Sequence, residues 1–368
     1  MLRVFEPSLT WNDKFTVLKT LYKNNISGQS PSVNEFEKAC ASKFDRKYGI
    51  SVSNGSVALD IALQSLGLKK DDEVILPSFT IISCLAAVVR TGAKPIFCDV
   101  DSNTWNMRLE DIEKVYTSKT RAVLIVHTYG LTAEATKISN FCKENDLILI
   151  EDAAEAHGQK ENNKKCGSFG LISSLSFYAN KHVTTGEGGM VMTNSDKYAS
   201  TLKQMRNLDF TPENRFQHDN FYWNYRLGGI QAALGLSQLD NLQKTIKFKI
   251  KQGNYYLDLF KDLDDLIQVP LKESRGTINH YWVFGIVPKN NIKRIDLVNK
   301  LLNKGIETRP FFWPLHLQKA LNTKQKVGSL KTSEMLGQNG LYIPMGRHIN
   351  RSSQEMIVQE IKNILLSK

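Results

Sequence analysis

The chain reads as an α/β fold, a mostly parallel central sheet flanked by helices, followed by a smaller α+β C-terminal domain. Three observations predict it. Apolar runs at Glu73-Val-Ile-Leu-Pro, Pro95-Ile-Phe-Cys-Asp, Ala122-Val-Leu-Ile-Val and Leu147-Ile-Leu-Ile are apolar throughout rather than alternating, which is the pattern of strands buried on both faces. Helix-length segments separate them, as parallel βαβ units require. The length, 368 residues, exceeds that of a usual single domain and leaves room for a second, smaller unit.

Met1 to Gln29 shows little periodicity and runs into the turn-forming Asn24-Asn-Ile-Ser-Gly-Gln-Ser-Pro. Residues 1–30 are therefore read as an N-terminal arm. From Ser32, the spacing of Val33, Phe36, Ala39, Cys40 and Phe44 predicts a helix, with Ser32 as its cap and Glu35 three residues on. A short strand from Ile50 then turns at Asn54-Gly55 into a helix carrying Ala58, Leu59, Ala62, Leu63 and Leu66. Backbone N–H groups at that helix start, with the Ser56 hydroxyl, form either a phosphate cradle or a plain capped turn.

Between the apolar strands, helices are expected around Ala86 to Val89, Leu109 to Val115 and Ala133 to Cys142. In open α/β sheets ligands bind beyond the carboxyl ends of the strands. Asp152 stands at such an end, opening Asp-Ala-Ala-Glu-Ala-His-Gly. It either pairs with a protonated heterocycle nitrogen or caps the next turn. Lys181 follows a short apolar strand and enters a Thr/Gly-rich turn, where a strand fixes the backbone and glycines leave space beside the amine. Taken alone it is equally a solvated surface lysine.

A strand at Gly189 to Thr193 and a helix at Asp196 to Arg206 come next, then a polar loop from Asn207 to Tyr222. A helix from Gly228 to Leu239 continues as a connecting helix to about Phe260, and a break at Asp262 to Pro270 sets the domain boundary. The large domain is thus 31–262 and the small one 263–368, the latter with a strand at Tyr281 to Val287, a helix at Ile295 to Leu302 and a final helix from Ser352.

Composition is that of an ordinary globular protein, 41% hydrophobic and 23% charged. No apolar run approaches the roughly 20 residues of a membrane span, and Met1 to Thr20 lacks the order of a signal peptide, so a cytoplasmic protein without membrane insertion is expected. The five cysteines are scattered and contain no C-x-x-C pair, which fits reduced thiols and no metal site. The net charge of +11 biases towards anionic ligands. Its lysines are spread along the chain without a nucleic-acid-reading motif, so no nucleic-acid partner is expected.

Four features stand in order along this chain: Asn54-Gly55-Ser56, Asp152, the Ser176 hydroxyl and the Lys181 amine. Together they meet the needs of pyridoxal 5'-phosphate: a phosphate cradle, an acid for the ring nitrogen and an amine for the aldehyde. The segments Val52-Ser-Asn-Gly-Ser-Val-Ala-Leu, Asp72-Glu-Val-Ile-Leu-Pro-Ser-Phe-Thr, Glu151-Asp-Ala-Ala-Glu-Ala-His-Gly, Ser176-Phe-Tyr-Ala-Asn-Lys-His-Val-Thr-Thr-Gly-Glu-Gly-Gly, Asn224-Tyr-Arg-Leu and Glu307-Thr-Arg-Pro-Phe-Phe-Trp-Pro-Leu-His carry a resemblance. From about Ser27 to its end the chain resembles the DegT/DnrJ/EryC1/StrS family of sugar aminotransferases, fold type I enzymes that use pyridoxal phosphate. Within that family, Glu151 to Gly158 and Glu307 to His316 look most like the perosamine synthases, which aminate C4 of a GDP-linked 4-keto-6-deoxymannose for surface polysaccharide.

The resemblance implies that Lys181 is the aldimine lysine and that Asp152 holds the pyridine nitrogen. Gly55, Ser56 and Ser176 would bind the phosphate, and Asn224 would reach the phosphate of a neighbouring subunit, making a homodimer with shared sites. Glu155 takes a position beside the ring, and His316 lies in a loop that lines the sugar pocket. Many relatives place an aromatic residue over the ring two residues after Phe79; that slot here is Ile81. On the same strand face as Phe79, Ile81 would replace stacking by an aliphatic contact and weaken cofactor grip modestly. The implied partners are L-glutamate and a nucleotide-linked keto sugar, with pyridoxamine phosphate between the two half-reactions.

Alternatives are a UDP- or dTDP-linked 4-keto-6-deoxyglucose, another keto sugar, a sugar dehydratase, and a non-catalytic regulator on the same fold. Dehydratase relatives replace the lysine by histidine, whereas Lys181 is present with His182 after it. A regulator would predict a damaged Lys181 or Asp152, and both are intact. His127 and His157 are either packing histidines or ligands, Glu187 is a turn cap, and Phe312 and Trp313 are pocket walls or interface core.

Overall fold

In the computed structural model, which describes residues 1–211, 215–290, 292–321 and 328–366, seven strands form the main sheet. They are β1 (Tyr48–Val52), β2 (Glu73–Pro77), β3 (Lys94–Cys98), β4 (Thr120–Val126), β5 (Ile148–Asp152), β6 (Ile172–Ser176) and β7 (Gly189–Thr193). Their order is β1-β7-β6-β5-β4-β2-β3. The strands β2 to β6 run parallel. Only β7 runs against its neighbours β1 and β6.

The apolar runs earn their composition by facing two cores. Val123, Ile125 and Leu149 pack with Ile138 and Cys142 on one face. Ala122, Leu124 and Ile150, on the other face, pack with Ala58, Leu63 and Leu85. Because successive side chains point to opposite faces, a sheet covered on both sides admits no polar alternation. The connecting helices include Gly55–Gln64, Ile82–Arg90, Ala135–Glu144 and Asp196–Arg206.

Four short strands form a second, antiparallel sheet: β8 (Ile267–Gln268), β9 (Phe284–Pro288), β10 (Arg309–Pro310) and β11 (Leu341–Ile343), in the order β8-β9-β11-β10. Its core joins Phe284, Ile286 and Leu341 to Leu297 of helix Arg294–Asn303 and Ile357 of helix Arg351–Leu366. Tyr256 and Phe260, at the end of helix Leu242–Phe260, enter the same core.

Several local readings change. The arm contains a helix, Trp11–Tyr22, started by a reciprocal cap: Thr10 Oγ1 accepts from Asp13 N at 3.2 Å and Thr10 N donates to Asp13 Oδ2 at 2.6 Å. Trp11, Phe15, Leu18 and Tyr22 do recur at helical spacing, but the stripe they form is exposed, Trp11 at 83% and Phe15 at 65%. The next helix, Pro31–Lys43, has Ser30 rather than Ser32 at its N-cap position, with no capping hydrogen bond from the Ser30 side chain; Ser32 lies within the helix and donates to Gly229 O at 3.0 Å. The connecting helix is two helices, Gly229–Asp240 and Leu242–Phe260, parted at Asn241. The strand predicted from Tyr281 begins at Phe284, since Tyr281 has φ 47°, a left-handed conformation that no strand continues.

Three chain segments that carry the site leave the main sheet at one edge. Because β1, β5 and β6 share a direction, Asn54, Asp152 and Ser176 all lie at strand carboxyl ends.

Candidate active site

At that edge lies a cavity of about 590 Å³. Gly55, Ser56, Ile81, Asp152, Glu155, Ser176 and Lys181 line it together, although they come from four separate stretches of chain.

Asn54 extends from β1 and caps helix Gly55–Gln64, its Oδ1 accepting from Val57 N at 3.0 Å. The free N–H groups of the first turn face the cavity end. Gly55 is required there by close approach: a Cβ would stand 2.7 Å from Ser176 Cβ. Ser56 Oγ lies 2.6 Å from Ser83 Oγ, and Ser176 Oγ accepts from Tyr178 N at 3.3 Å.

The Asp152 carboxylate is buried at the end of β5. Its Oδ1 accepts from Ala154 N at 3.0 Å, and Cys84 Sγ donates to Oδ2 at 3.4 Å. Burial raises its pKa above the ordinary value, while Ala154 N–H and the Lys181 charge pull it back.

Lys181 is held by a compact turn: its N–H donates to Tyr178 O at 2.9 Å, and Thr185 N donates to Phe177 O at 2.9 Å. Its Nζ lies 3.5 Å from Glu155 Oε1 and 3.7 Å from the ring centre of Trp282. Burial lowers the amine's pKa, with Glu155 and Asp152 opposing. Burial pushes the Glu155 carboxyl up to about 7, and its Oε2 accepts from Tyr129 N at 3.0 Å. The walls around this amine are therefore suited to moving a proton near neutral pH.

Phe79 and Ile81 do not share a face. The strand ends at Pro77, so alternation stops before either residue. Phe79 is buried against Tyr129 and Phe311, while Ile81, 39% exposed, meets the cavity.

Two expected residues lie elsewhere. Asn224 is exposed and outside this cavity, paired through a single bridge with Asn207. His316 is turned away: its Nδ1 lies 2.6 Å from Ser78 Oγ and its Nε2 3.2 Å from Glu334 Oε1, partners that hold the ring outside the cavity lining.

His127 and His157 are packed. His127 Nε2 lies 2.9 Å from Glu151 Oε1, and its Nδ1 accepts from Ala133 N. Glu151 and Cys166 lie close enough to His127 to share an ion. The Glu151 oxygens, however, already accept from Gly167, Phe169 and Gly170 N–H groups, which leaves little lone-pair capacity. His157 Nδ1 accepts from Val183 N at 3.3 Å. Phe312 lines the cavity, whereas Trp313 is exposed. Glu187 lines the cavity too, beyond any role in its turn.

Tyr178, Asn180, Trp282 and Tyr342 line the cavity without having been singled out. Trp282 Nε1 donates to Asn180 O at 3.1 Å, fixing the indole against the lysine turn. No local pattern marks Trp282, just before β9, or Tyr342, within β11, and the second sheet brings both to the cavity only through tertiary packing.

The model of the DegT/DnrJ/EryC1/StrS aminotransferase family matches residues 10–362. The chain is 36% identical over 365 residues to GDP-perosamine synthase from Escherichia coli O157:H7, covering 99% of each chain. It is 33% identical over 365 residues to GDP-perosamine synthase from Vibrio cholerae, again covering 99% of each. An aminotransferase structure from Psychrobacter cryohalolentis has a TM-score of 0.90 at 27% identity and covers 98% of each chain. The match spans both sheets and every residue of the cavity wall, and the chain belongs to the DegT/DnrJ/EryC1/StrS aminotransferase family.

Proposed function

We propose that this enzyme uses pyridoxal phosphate to move an amino group from L-glutamate to C4 of GDP-4-keto-6-deoxymannose, forming GDP-perosamine. The observation that carries the reaction type is the buried Lys181 amine, 3.5 Å from Glu155, in one cavity with Asp152 and the Gly55–Ser56 turn. Identity to two GDP-perosamine synthases over nearly the whole chain supports the substrate.

The side chains fit the cofactor. Gly55 keeps the helix start open where a Cβ would fill it, and Asn180 Oδ1 is buried without a partner among the described residues. Asp152 would hold the ring nitrogen, while Gly55, Ser56 and Ser176 would hold the phosphate. Ile81 and Glu155 would lie beside the ring. Pyridoxal phosphate, when bound, supplies the aldehyde that takes the amino group and the ring that accepts an electron pair.

The protein supplies the proton chemistry and the positioning. Lys181, its basicity lowered by burial, would take the proton from the α-carbon of the amino donor and deliver one to C4 of the keto sugar. Glu155 holds or releases a proton beside Nζ near neutral pH. The Asp152 carboxylate offers negative charge where a ring nitrogen gains positive charge. Trp282 closes one side of the amine against water.

The exposed Asn224 suits a homodimer in which it reaches the phosphate of a second copy. The division into an arm of 1–30, a large domain of 31–262 and a small domain of 263–368 follows the same reading, as does a cytoplasmic site of action. Among the described residues no helix is long and apolar enough to cross a membrane.

The test is to incubate the cofactor-loaded enzyme and L-glutamate with GDP-, UDP- and dTDP-linked 4-keto-6-deoxy sugars, reading products by mass. Amination of the GDP sugar is expected. Amination of only a UDP or dTDP sugar would overturn the nucleotide, and loss of a hydroxyl without gain of nitrogen would overturn the reaction.

A further inference from the structure

One buried group beside Asp152 has no part in the chemistry above. Cys84, the third residue of helix Ile82–Arg90, is fully buried, and its Sγ donates to Asp152 Oδ2 at 3.4 Å. Asp152 lines the cavity and Cys84 does not, so the thiol reaches the carboxylate from the protein side. Thr80 Oγ1 stands 3.9 Å from the same sulfur.

The two carboxylate oxygens are held unequally. Oδ1 accepts from Ala154 N at 3.0 Å and from Ser174 Oγ at 3.4 Å. Cys84 is the single donor to Oδ2 among the described residues. An ionised carboxylate oxygen has about two lone-pair sites. Oδ1 is therefore filled, and Oδ2 keeps one site for a donor in the cavity. Fixed at both oxygens, the carboxylate plane does not turn.

The thiol suits that place chemically. Burial, with the Asp152 charge second, pushes its pKa well above the ordinary thiol range, so Cys84 stays an S–H donor and not a nucleophile. A donor favours the ionised carboxylate and opposes the desolvation that raises the Asp152 pKa. Lys181 and His127 pull in the same direction by charge, while Glu155 and Asp152 repel each other when both are ionised. A thiol is also a weak donor. It steadies the carboxylate and leaves most of its negative charge for the ring nitrogen.

We propose that Cys84 is a positioning residue of the reaction: its thiol orients the Asp152 carboxylate, presents Oδ2 to the ring nitrogen and keeps it ionised. This rests on the reading that Asp152 holds that nitrogen.

The test compares Cys84→Ser with Cys84→Ala in the full chain loaded with pyridoxal phosphate, since serine and alanine differ in a donor and hardly in volume. Cys84→Ala is expected to lower kcat about three- to tenfold, the worth of one hydrogen bond, with KM for L-glutamate within about twofold. Cys84→Ser should recover most of that loss. The pH midpoint of the cofactor's absorbance band is the second readout. A less firmly protonated ring withdraws less charge from the nitrogen joining it to Lys181, so the midpoint should rise by about half a unit or more in Cys84→Ala and by less in Cys84→Ser. Equal losses in both variants, or an unmoved midpoint with unchanged kcat, overturn the assignment. Should Cys84→Ala not fold, the infrared S–H stretch of the cofactor-free wild type decides. The component that Cys84→Ser removes should shift in Asp152→Asn, and an unshifted component overturns the hydrogen bond. If Asp152→Asn itself leaves midpoint and kcat unchanged, the reading of Asp152 falls and this assignment with it. If Asp152→Asn moves both while Cys84→Ala moves neither, only this assignment falls.

Discussion

Lys181 Nζ lies 3.5 Å from Glu155 Oε1 while the two side chains are only 8% and 7% exposed. Burial drives both towards their neutral forms, the amine's pKa down and the carboxyl's up to about 7. A charged pair and a neutral pair are thereby brought close in energy, which is what a proton-transfer site needs.

Replacing Glu155 by Gln tests that balance through stability. The carboxyl is raised from 4.5 to about 7, so across that interval the folded state binds more protons than the unfolded one. Stability contributed by the neutral acid is complete below pH 4.5 and is lost as pH rises through about 7. Glu155→Gln does not titrate. In thermal or denaturant unfolding of the cofactor-free protein, the variant should match wild type near pH 4.5 and gain up to about 3 kcal/mol on it by pH 8. A pH-independent difference would contradict the shift.

At Ile81 the cavity wall is aliphatic where an aromatic ring would stack. Ile81→Phe should tighten pyridoxal phosphate binding by roughly two- to tenfold, the worth of one aromatic contact. Equilibrium dialysis or fluorescence titration measures it. Weaker binding would mean that the ring does not lie against residue 81.

Asn224 stands outside the cavity of its own chain. If it completes the site of a second copy, Lys181→Ala and Asn224→Ala chains are each inactive, yet their mixed dimer holds one intact site. Refolding equal amounts together should restore about a quarter of wild-type activity, since half the dimers are mixed and each has one good site of two. No recovery would place Asn224 outside any shared site.

How far the sequence reached depends on where the signal lay. Asp152 was legible because it ends an apolar strand, and Gly55 because a glycine after a capping Asn marks a helix start; Ser176, at the end of a serine-rich strand, came from the motif around Lys181. These are local patterns. Trp282 and Tyr342 escaped because their approach to Lys181 is made by the second sheet folding back on the first, and no spacing in the chain encodes it. The arm helix is different: Trp11, Phe15, Leu18 and Tyr22 carry a helical spacing that was legible and went unread. His316 sits in a motif that was recognised, but Ser78 and Glu334 decide where its ring points.

The most direct measurement is the absorbance of the full chain with pyridoxal phosphate, before and after L-glutamate, for wild type beside Lys181→Ala. Wild type should show a long-wavelength band from the lysine-bound cofactor that bleaches with L-glutamate, and Lys181→Ala should show no such band. Identical spectra from both proteins would contradict it, because the cofactor would then be held without the amine on which the proposed reaction depends.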